Sequence, residues 1–429
     1  MHHVILGAGP AGVIAAETIR KHAPADTITL VGDEAEPPYS RMAIPYLLMR
    51  NIDESGTHLR KDPQHLARLN IIHRKARMTG IDIPANRIRL QDGGDLPYDR
   101  LLLATGSVPV RPPIAGIDDD GVRERVVPCW TLADARRIAS LAAPGARVVQ
   151  MGAGFIGCII MEALAARGVD LTVVEMGNRM VPRMMTEGAG AMIRQWVQDK
   201  GVAVHTGTRV DRIAKGAGAP LAVTLSTGET LAADLVISAT GVRPNLDVVR
   251  DSGLRIGKGV IVDECMRTSV ANIYAAGDVA EAIDFSTGEL LVNAIQPNAV
   301  EQARIAASNM AGRHAASQGT LQINVLDTLG LISSSFGRWW GAEGGDHAEL
   351  SDPEAYRYMR LEFLGDQLIG ATSVGLTEHV GVLRGLIQTR IPLGAWKAQL
   401  KAEPLRVMDA YLAQAQARQD WTAHAARHR

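Results

Sequence analysis

Cysteine is scarce in this 429-residue chain: Cys129, Cys158 and Cys265 are its only three. They stand far apart and form no CxxC or CxxxxC pair, which argues against a disulfide framework and against a cysteine-held zinc or iron–sulfur site. No metal site is expected. An excess of either charge is also lacking. The 45 Lys and Arg residues face 46 Asp and Glu, a net charge of −1, which leaves no electrostatic footprint for nucleic acid. No apolar run is long enough to span a bilayer. The first residues, HHVIL, enter a strand at once and leave no room for a signal peptide, so the expected location is cytoplasmic. What is present is a 46% hydrophobic, globular composition, too long for one core, so two or three domains are expected.

Two stretches carry the chemistry. In HHVILGAGPAGVIAAETIRKH a short strand, Val4 to Leu6, runs into Gly7, Gly9 and Gly12 and an alanine-rich helix that opens with Pro10 and Ala11. The first glycine of such a turn makes the tight bend. The second lets the backbone approach a pyrophosphate, and the third lets helix pack on strand. The helix start offers N–H groups and a positive dipole end to phosphates. The next strand, TITLVG, ends near Asp33 and Glu34, either of which suits a ribose hydroxyl, although Gly32 fills the slot where the acid most often lies.

ARVVQMGAGFIGCIIMEALAARGVDLTVVEM repeats the pattern with Gly152, Gly154 and Gly157, and Phe155 and Ile156 open its helix. Its second strand ends on Glu175, placed for a ribose 2′-hydroxyl. An acid there repels a 2′-phosphate and favours NADH over NADPH. Arg179 is the opposing consideration, as a phosphate partner or as a surface residue. One glycine turn is weak evidence because glycine is common at helix starts; two complete strand–turn–helix–strand units predict two dinucleotide sites.

Three further segments agree. LLLATGSVPVRPP, with Ala104, Thr105 and Gly106, and LVISATGVRPN, with Gly241, are strands ending in Ala-Thr-Gly. Each closes one unit at a glycine that permits close approach to a ligand. A strand in TSVANIYAAGDVAEA runs into Gly277 and Asp278, where an Asp either holds a hydroxyl or phosphate or caps a helix.

Together these segments resemble the pyridine nucleotide–disulfide oxidoreductase superfamily, flavoproteins with two dinucleotide-binding domains. The resemblance implies an α/β chain with two Rossmann-like, glutathione-reductase-like domains and a C-terminal α+β interface domain. FAD is then expected on the first turn and NADH on the second. The FAD domain is expected at 1–115 and 245–320, the NADH domain at 116–244 and the interface domain at 321–429. That last domain commonly forms a homodimer; a plain lobe of a monomer is the alternative. Gly277 and Asp278 fall to the FAD domain, as does the helix in AIQPNAVEQARIAASNMAG, whose Pro297 suits a first turn. The last third predicts antiparallel strands in NVLDTLGLISSSFG and AYRYMRLEFLGDQLIGATSVG, turning at Gly365-Asp366. Helices are predicted in GVLRGLIQTRI and PLRVMDAYLAQAQARQ, followed by a frayed tail, WTAHAARHR.

Met42-Ala43-Ile44-Pro45-Tyr46 resembles the Cys-Ala-x-Pro-Tyr of coenzyme A disulfide reductases and related NADH oxidases, with a thioether in place of the thiol. Methionine forms no thiolate, sulfenic acid or mixed disulfide. Pro38-Tyr39-Ser40-Arg41 resembles rubredoxin and ferredoxin reductases and the flavin module of nitrite reductases. The resemblance places Arg41 at the FAD diphosphate; a surface arginine is the alternative. Relatives with a lysine beside flavin N5 and an acidic partner have Tyr46 and Ile159 at those slots here. Tyr46 is expected to bond near N5 or to pack, and Phe155 to cover the flavin as a lid or to pack under its turn. Trp339 and Trp340 suit core, dimer interface or docking patch alike.

The function this implies is an FAD-dependent NAD(P)H oxidoreductase that passes electrons from NADH to a rubredoxin, ferredoxin or other iron–sulfur partner. A peroxide-forming NADH oxidase is the second reading, and a slowly turning redox-sensing or interaction protein the third. No side chain is required as acid or base.

Overall fold

The computed structural model describes residues 1–417, so the tail expected to fray lies outside the described residues. The chain divides into two compact units. The first comprises Met1–Val110, Trp130–Ala135 and Val242–Thr320. The second comprises Arg111–Cys129, Arg136–Gly241 and the chain from Leu321 onward.

The first unit is built on a five-stranded parallel sheet in the order Ile273–Ala275, Arg100–Leu103, His2–Leu6, Thr27–Gly32, Ile71–Lys75. Its central strands are near-continuous apolar runs. Val4, Ile5, Leu6 and Leu101 to Leu103 are buried, as expected of a parallel sheet covered on both faces. Helices Pro10–His22 and Gln296–Met310 pack against each other through alanines: Ala11, Ala15 and Ala16 on one, Ala299, Ala303, Ala306 and Ala307 on the other. Such small side chains let the two helix axes come close.

The second unit repeats the plan. A parallel sheet runs Ala203–His205, Asp170–Val174, Arg147–Met151, Leu235–Ser238, Val126–Val127. The same unit holds a five-stranded antiparallel sheet in the order Ile323–Thr328, Leu331–Gly337, Gln367–Val374, Arg357–Leu364, Asp346–Asp352. The expected turn lies at Gly365-Asp366, with Gly365 at φ +57°. The expected helices form at Val380–Thr389 and Val407–Ala417. One strand carries no sequence signal: Asp346–Asp352 reads DHAELSD, and its polarity suits the outer edge it occupies. Among the described residues no helix is long and apolar enough to cross a membrane.

Candidate functional site

The first glycine turn is closed at its base and open at its mouth. A Cβ on Gly7, which sits at φ +111°, would lie 2.0 Å from the Ala104 carbonyl oxygen. A Cβ on Gly12 would lie 1.8 Å from the Gly7 oxygen. A Cβ on Gly9 would meet nothing within 4 Å. The helix Pro10–His22 starts here, with Pro10 in its first turn, extended Gly9 as its cap and no side-chain capping bond. A backbone cradle of this shape fits a dinucleotide pyrophosphate.

The other first-unit residues converge on the same sheet edge. Thr105 donates its hydroxyl to the Asn245 carbonyl at 3.1 Å, and the Asn245 N–H returns to Gly106 at 2.9 Å. Gly277, at φ +80°, donates to Gln302 Oε1 at 2.8 Å, and a Cβ there would touch Ala11 and Ala299, one from each helix. Asp278 accepts the Ser107 hydroxyl at 2.6 Å. Burial pushes the Asp278 carboxyl above its ordinary range; the Ser107 bond and the Arg41 charge oppose that. Helix Gln296–Met310 has Pro297 in its first turn and no side-chain cap, and Gln296 accepts the Ser40 hydroxyl at 2.7 Å.

Arg41 is no loose surface arginine. It bonds Glu34 Oε1 at 2.7 Å and the Trp130 carbonyl at 2.8 Å, and its guanidinium lies 5.2 Å from the centre of the Trp130 ring. Tyr39 donates its hydroxyl to the other Glu34 oxygen. Asp33 pairs with Arg77 at 3.1 Å, so the two candidate acids are held by different arginines. Trp130 donates its indole N–H to the Ser107 carbonyl at 3.0 Å and thereby joins the Arg41 and Asp278 clusters. Trp130 belongs to no motif, and Ser107 directly follows the Ala104-Thr105-Gly106 strand end without carrying a signal of its own. Met42 and Tyr46, one helical turn apart, are 45% and 53% exposed, so Tyr46 is not a core residue. All three cysteines are buried. The Cys158 thiol donates to the Ala153 carbonyl at 3.6 Å, and burial pushes it up to about 12.

The second turn has the same construction. A Cβ on Gly152 would lie 2.4 Å from the Ala239 oxygen, one on Gly157 2.4 Å from the Gly152 oxygen, and one on Gly154 or Gly241 would meet nothing within 4 Å. Helix Phe155–Ala166 begins at Gly154 without a side-chain cap; Phe155 and Ile156 in its first turn are half-buried. Glu175 is only 9% exposed, and both its oxygens take backbone donors: Ala153 N–H and Gly177 N–H, each at 2.7 Å. Arg179 is spent inside its own loop, donating to the Met185 and Pro182 carbonyls at 3.0 and 3.2 Å and to Asn178 Oδ1 at 2.8 Å. Val181, buried and at φ +49°, donates its N–H to the Ala153 carbonyl at 2.9 Å. A left-handed β-branched residue is strained. Met176, between Glu175 and Gly177, is 74% exposed. Among the described residues no group of three His, Cys, Asp or Glu side chains is placed to hold a metal ion.

Comparison with known proteins accords with these two cradles. Residues 1–308 match the family described as pyridine nucleotide-disulphide oxidoreductase. The NADH-dependent phenylglyoxylate dehydrogenase subunit epsilon of Aromatoleum evansii is 35% identical over 410 residues, 94% of this chain and 96% of that one. The NADH oxidase of Methanocaldococcus jannaschii is 35% identical over 322 residues, 73% of this chain and 70% of that one. The crystal structure of the covalent putidaredoxin reductase–putidaredoxin complex superposes with a TM-score of 0.88 at 26% identity, covering 96% of this chain and 99% of that one. The chain therefore belongs to the pyridine nucleotide-disulphide oxidoreductase family, the NAD(P)H-dependent FAD oxidoreductases.

Proposed function

We propose that this chain carries electrons between NADH and a separate one-electron redox protein by way of FAD. The carrying observation is the sulfur inventory. Met42 stands where the cysteine-dependent branches have their thiol, and Cys129, Cys158 and Cys265 are all buried. With no accessible thiol, disulfide and peroxide reduction at sulfur have no nucleophile. Bound FAD would supply the conversion of a hydride into single electrons. The chain's own part is to bind and orient. Gly7, Gly9, Pro10, Ala11 and Gly12 would take the FAD pyrophosphate at the helix start, closed on one side by Ala104, Thr105 and Gly106. Asp278, held by Ser107, would accept a hydroxyl of the flavin side chain. Arg41 would face the diphosphate with Glu34 partly neutralising it, and Glu34 or Asp33 would meet the adenosine ribose. Pro297 would start the helix whose positive end lies beside Gly277. On the second turn, Gly152, Gly154, Phe155, Ile156, Gly157 and Gly241 would cradle NADH, and Glu175 would select it over NADPH.

A small iron–sulfur protein is the proposed acceptor. The putidaredoxin reductase complex supports this by overall similarity. The Aromatoleum relative, itself a subunit, supports an acceptor that is a companion chain. The Methanocaldococcus relative favours oxygen as the second reading. Stopped-flow mixing of NADH-reduced protein with a panel of ferredoxins and rubredoxins, against air-saturated buffer, separates them. Reoxidation by a protein acceptor should be faster than by oxygen and should slow as salt rises. Oxygen outpacing every protein acceptor would establish the oxidase reading instead.

A further inference from the structure

Gln150 lies at the centre of the second sheet, fully buried on strand Arg147–Met151. Its side-chain amide donates to the Gly152 carbonyl and to the Gly157 carbonyl, both at 3.0 Å. These are the first and third glycines of the turn. Its own amide oxygen is buried without a partner. The orientation follows from the surroundings, because the flipped amide would aim its oxygen at two carbonyl oxygens. The matching residue of the first turn, two before Gly7, is Ile5, also fully buried. One turn therefore shows that an apolar residue suffices to build the shape. The other carries an amide that ties the first and third glycine carbonyls together while its own oxygen has no protein partner, which filling the core does not require.

The explanation lies in a single peptide group. The Gly152 oxygen is held by Gln150, and the N–H of the same Gly152–Ala153 peptide is held by Glu175 Oε2 at 2.7 Å. The peptide is gripped at both ends, by an amide below and by the carboxylate proposed to take the ribose. Donation to the carbonyl polarises the N–H and strengthens its bond to the carboxylate. Glu175 in turn has its second oxygen on Gly177.

We propose that Gln150 is a positioning residue for NADH: through the Gly152–Ala153 peptide it sets the direction of the Glu175 carboxylate. This rests on the reading of the second turn as the NADH site. Without the amide, the peptide and the carboxylate are free to rock together, and the ribose loses a prepositioned acceptor. The first turn does not depend on it.

The test is Gln150→Leu and Gln150→Ile in the FAD-loaded protein, with Glu175→Ala alongside. Binding of unreactive NAD⁺ is followed by titration, and NADH-dependent dye reduction supplies KM and kcat. The Kd for NAD⁺ and the KM for NADH should rise roughly tenfold, and the NADH-over-NADPH preference should narrow. kcat at saturation should move far less than KM. A merely structural residue would lower the unfolding temperature and kcat without narrowing the NADH-over-NADPH preference, since the variants also strip the Gly152 and Gly157 carbonyls of their donor. An unchanged Kd in both Gln150 variants, with Glu175→Ala weakened, overturns the positioning role alone. An unchanged Kd in Glu175→Ala overturns the nucleotide reading of this turn and the proposal with it.

Discussion

Gly32 and Glu175 occupy the same position in two copies of one structural unit. Each follows the last residue paired to the first strand: Val31 pairs with Leu6, and Val174 with Met151. Glu175 reaches into its glycine turn and holds the Ala153 N–H. A Cβ on Gly32 would lie 2.9 Å from that of Ala8, the residue matching Ala153, so this unit packs backbone against its turn where the other places a carboxylate. The acids of the first unit begin one residue later and are bound to Arg77 and Arg41.

The glycines of the first turn should separate folding from cofactor binding. Gly12→Ala forces a Cβ to within 1.8 Å of the Gly7 oxygen and should impair folding of the first unit. Gly9→Ala meets nothing within 4 Å in the protein. It should keep the FAD-free unfolding temperature while lowering FAD retention by roughly an order of magnitude, because the pyrophosphate needs that space. Visible flavin absorbance per chain after gel filtration checks this; full FAD loading of Gly9→Ala would oppose the cradle.

Asp278 should trade stability for cofactor binding. Its carboxyl is raised by burial, so the folded chain holds the proton more tightly than the unfolded chain. The contribution of Asp278 to the stability of the FAD-free protein is then greatest below the ordinary carboxylate range and is lost as pH climbs through and above it. Asp278→Asn keeps the shape and removes the charge. It should raise the FAD-free unfolding temperature at neutral pH by about 2–4 °C, flatten that pH dependence and weaken FAD binding. Tighter FAD binding in the variant would contradict the assigned role.

The Cys158 thiol should behave as core. Pushed up to about 12, it stays protonated in the fold while the unfolded thiol ionises. The contribution of Cys158 to stability therefore falls as pH rises from the ordinary thiol range towards about 12, and Cys158→Ala should remove that part of the slope. Reduction by NADH should show no thiolate-to-flavin charge-transfer band, and the variant should keep NADH-to-dye electron transfer. A band abolished by Cys158→Ala would reveal a thiol in the electron path.

Local geometry was legible in the chain and distant contacts were not. The two turns, Glu175 and the Gly277-Asp278 corner could be read because each is a short run in which spacing dictates geometry. Trp130 could not, because its meaning comes from Arg41 and Ser107, 89 and 23 residues away. Gln150 hid in an apolar run, where a lone amide looks like an interruption of a strand. The edge strand Asp346–Asp352 hid for the opposite reason, since an outer strand has little to bury. The candidate ribose acids of the first unit stayed ambiguous because both are neutralised by arginines that sequence spacing does not pair with them.

Burying every thiol moves this protein's oxidant sensitivity to its thioethers. Met176, 74% exposed, sits between the two residues that fix the Glu175 loop, and Met42 is exposed in the first unit. Oxidation would turn Met176 from a flexible apolar side chain into a polar, chiral sulfoxide at the edge of the second glycine turn, the proposed NADH site. A cysteine enzyme over-oxidised to the sulfonic acid is lost, whereas sulfoxides are returned to methionine by dedicated reductases. Damage from peroxide would thus appear first as weakened nucleotide binding, and it would be repairable.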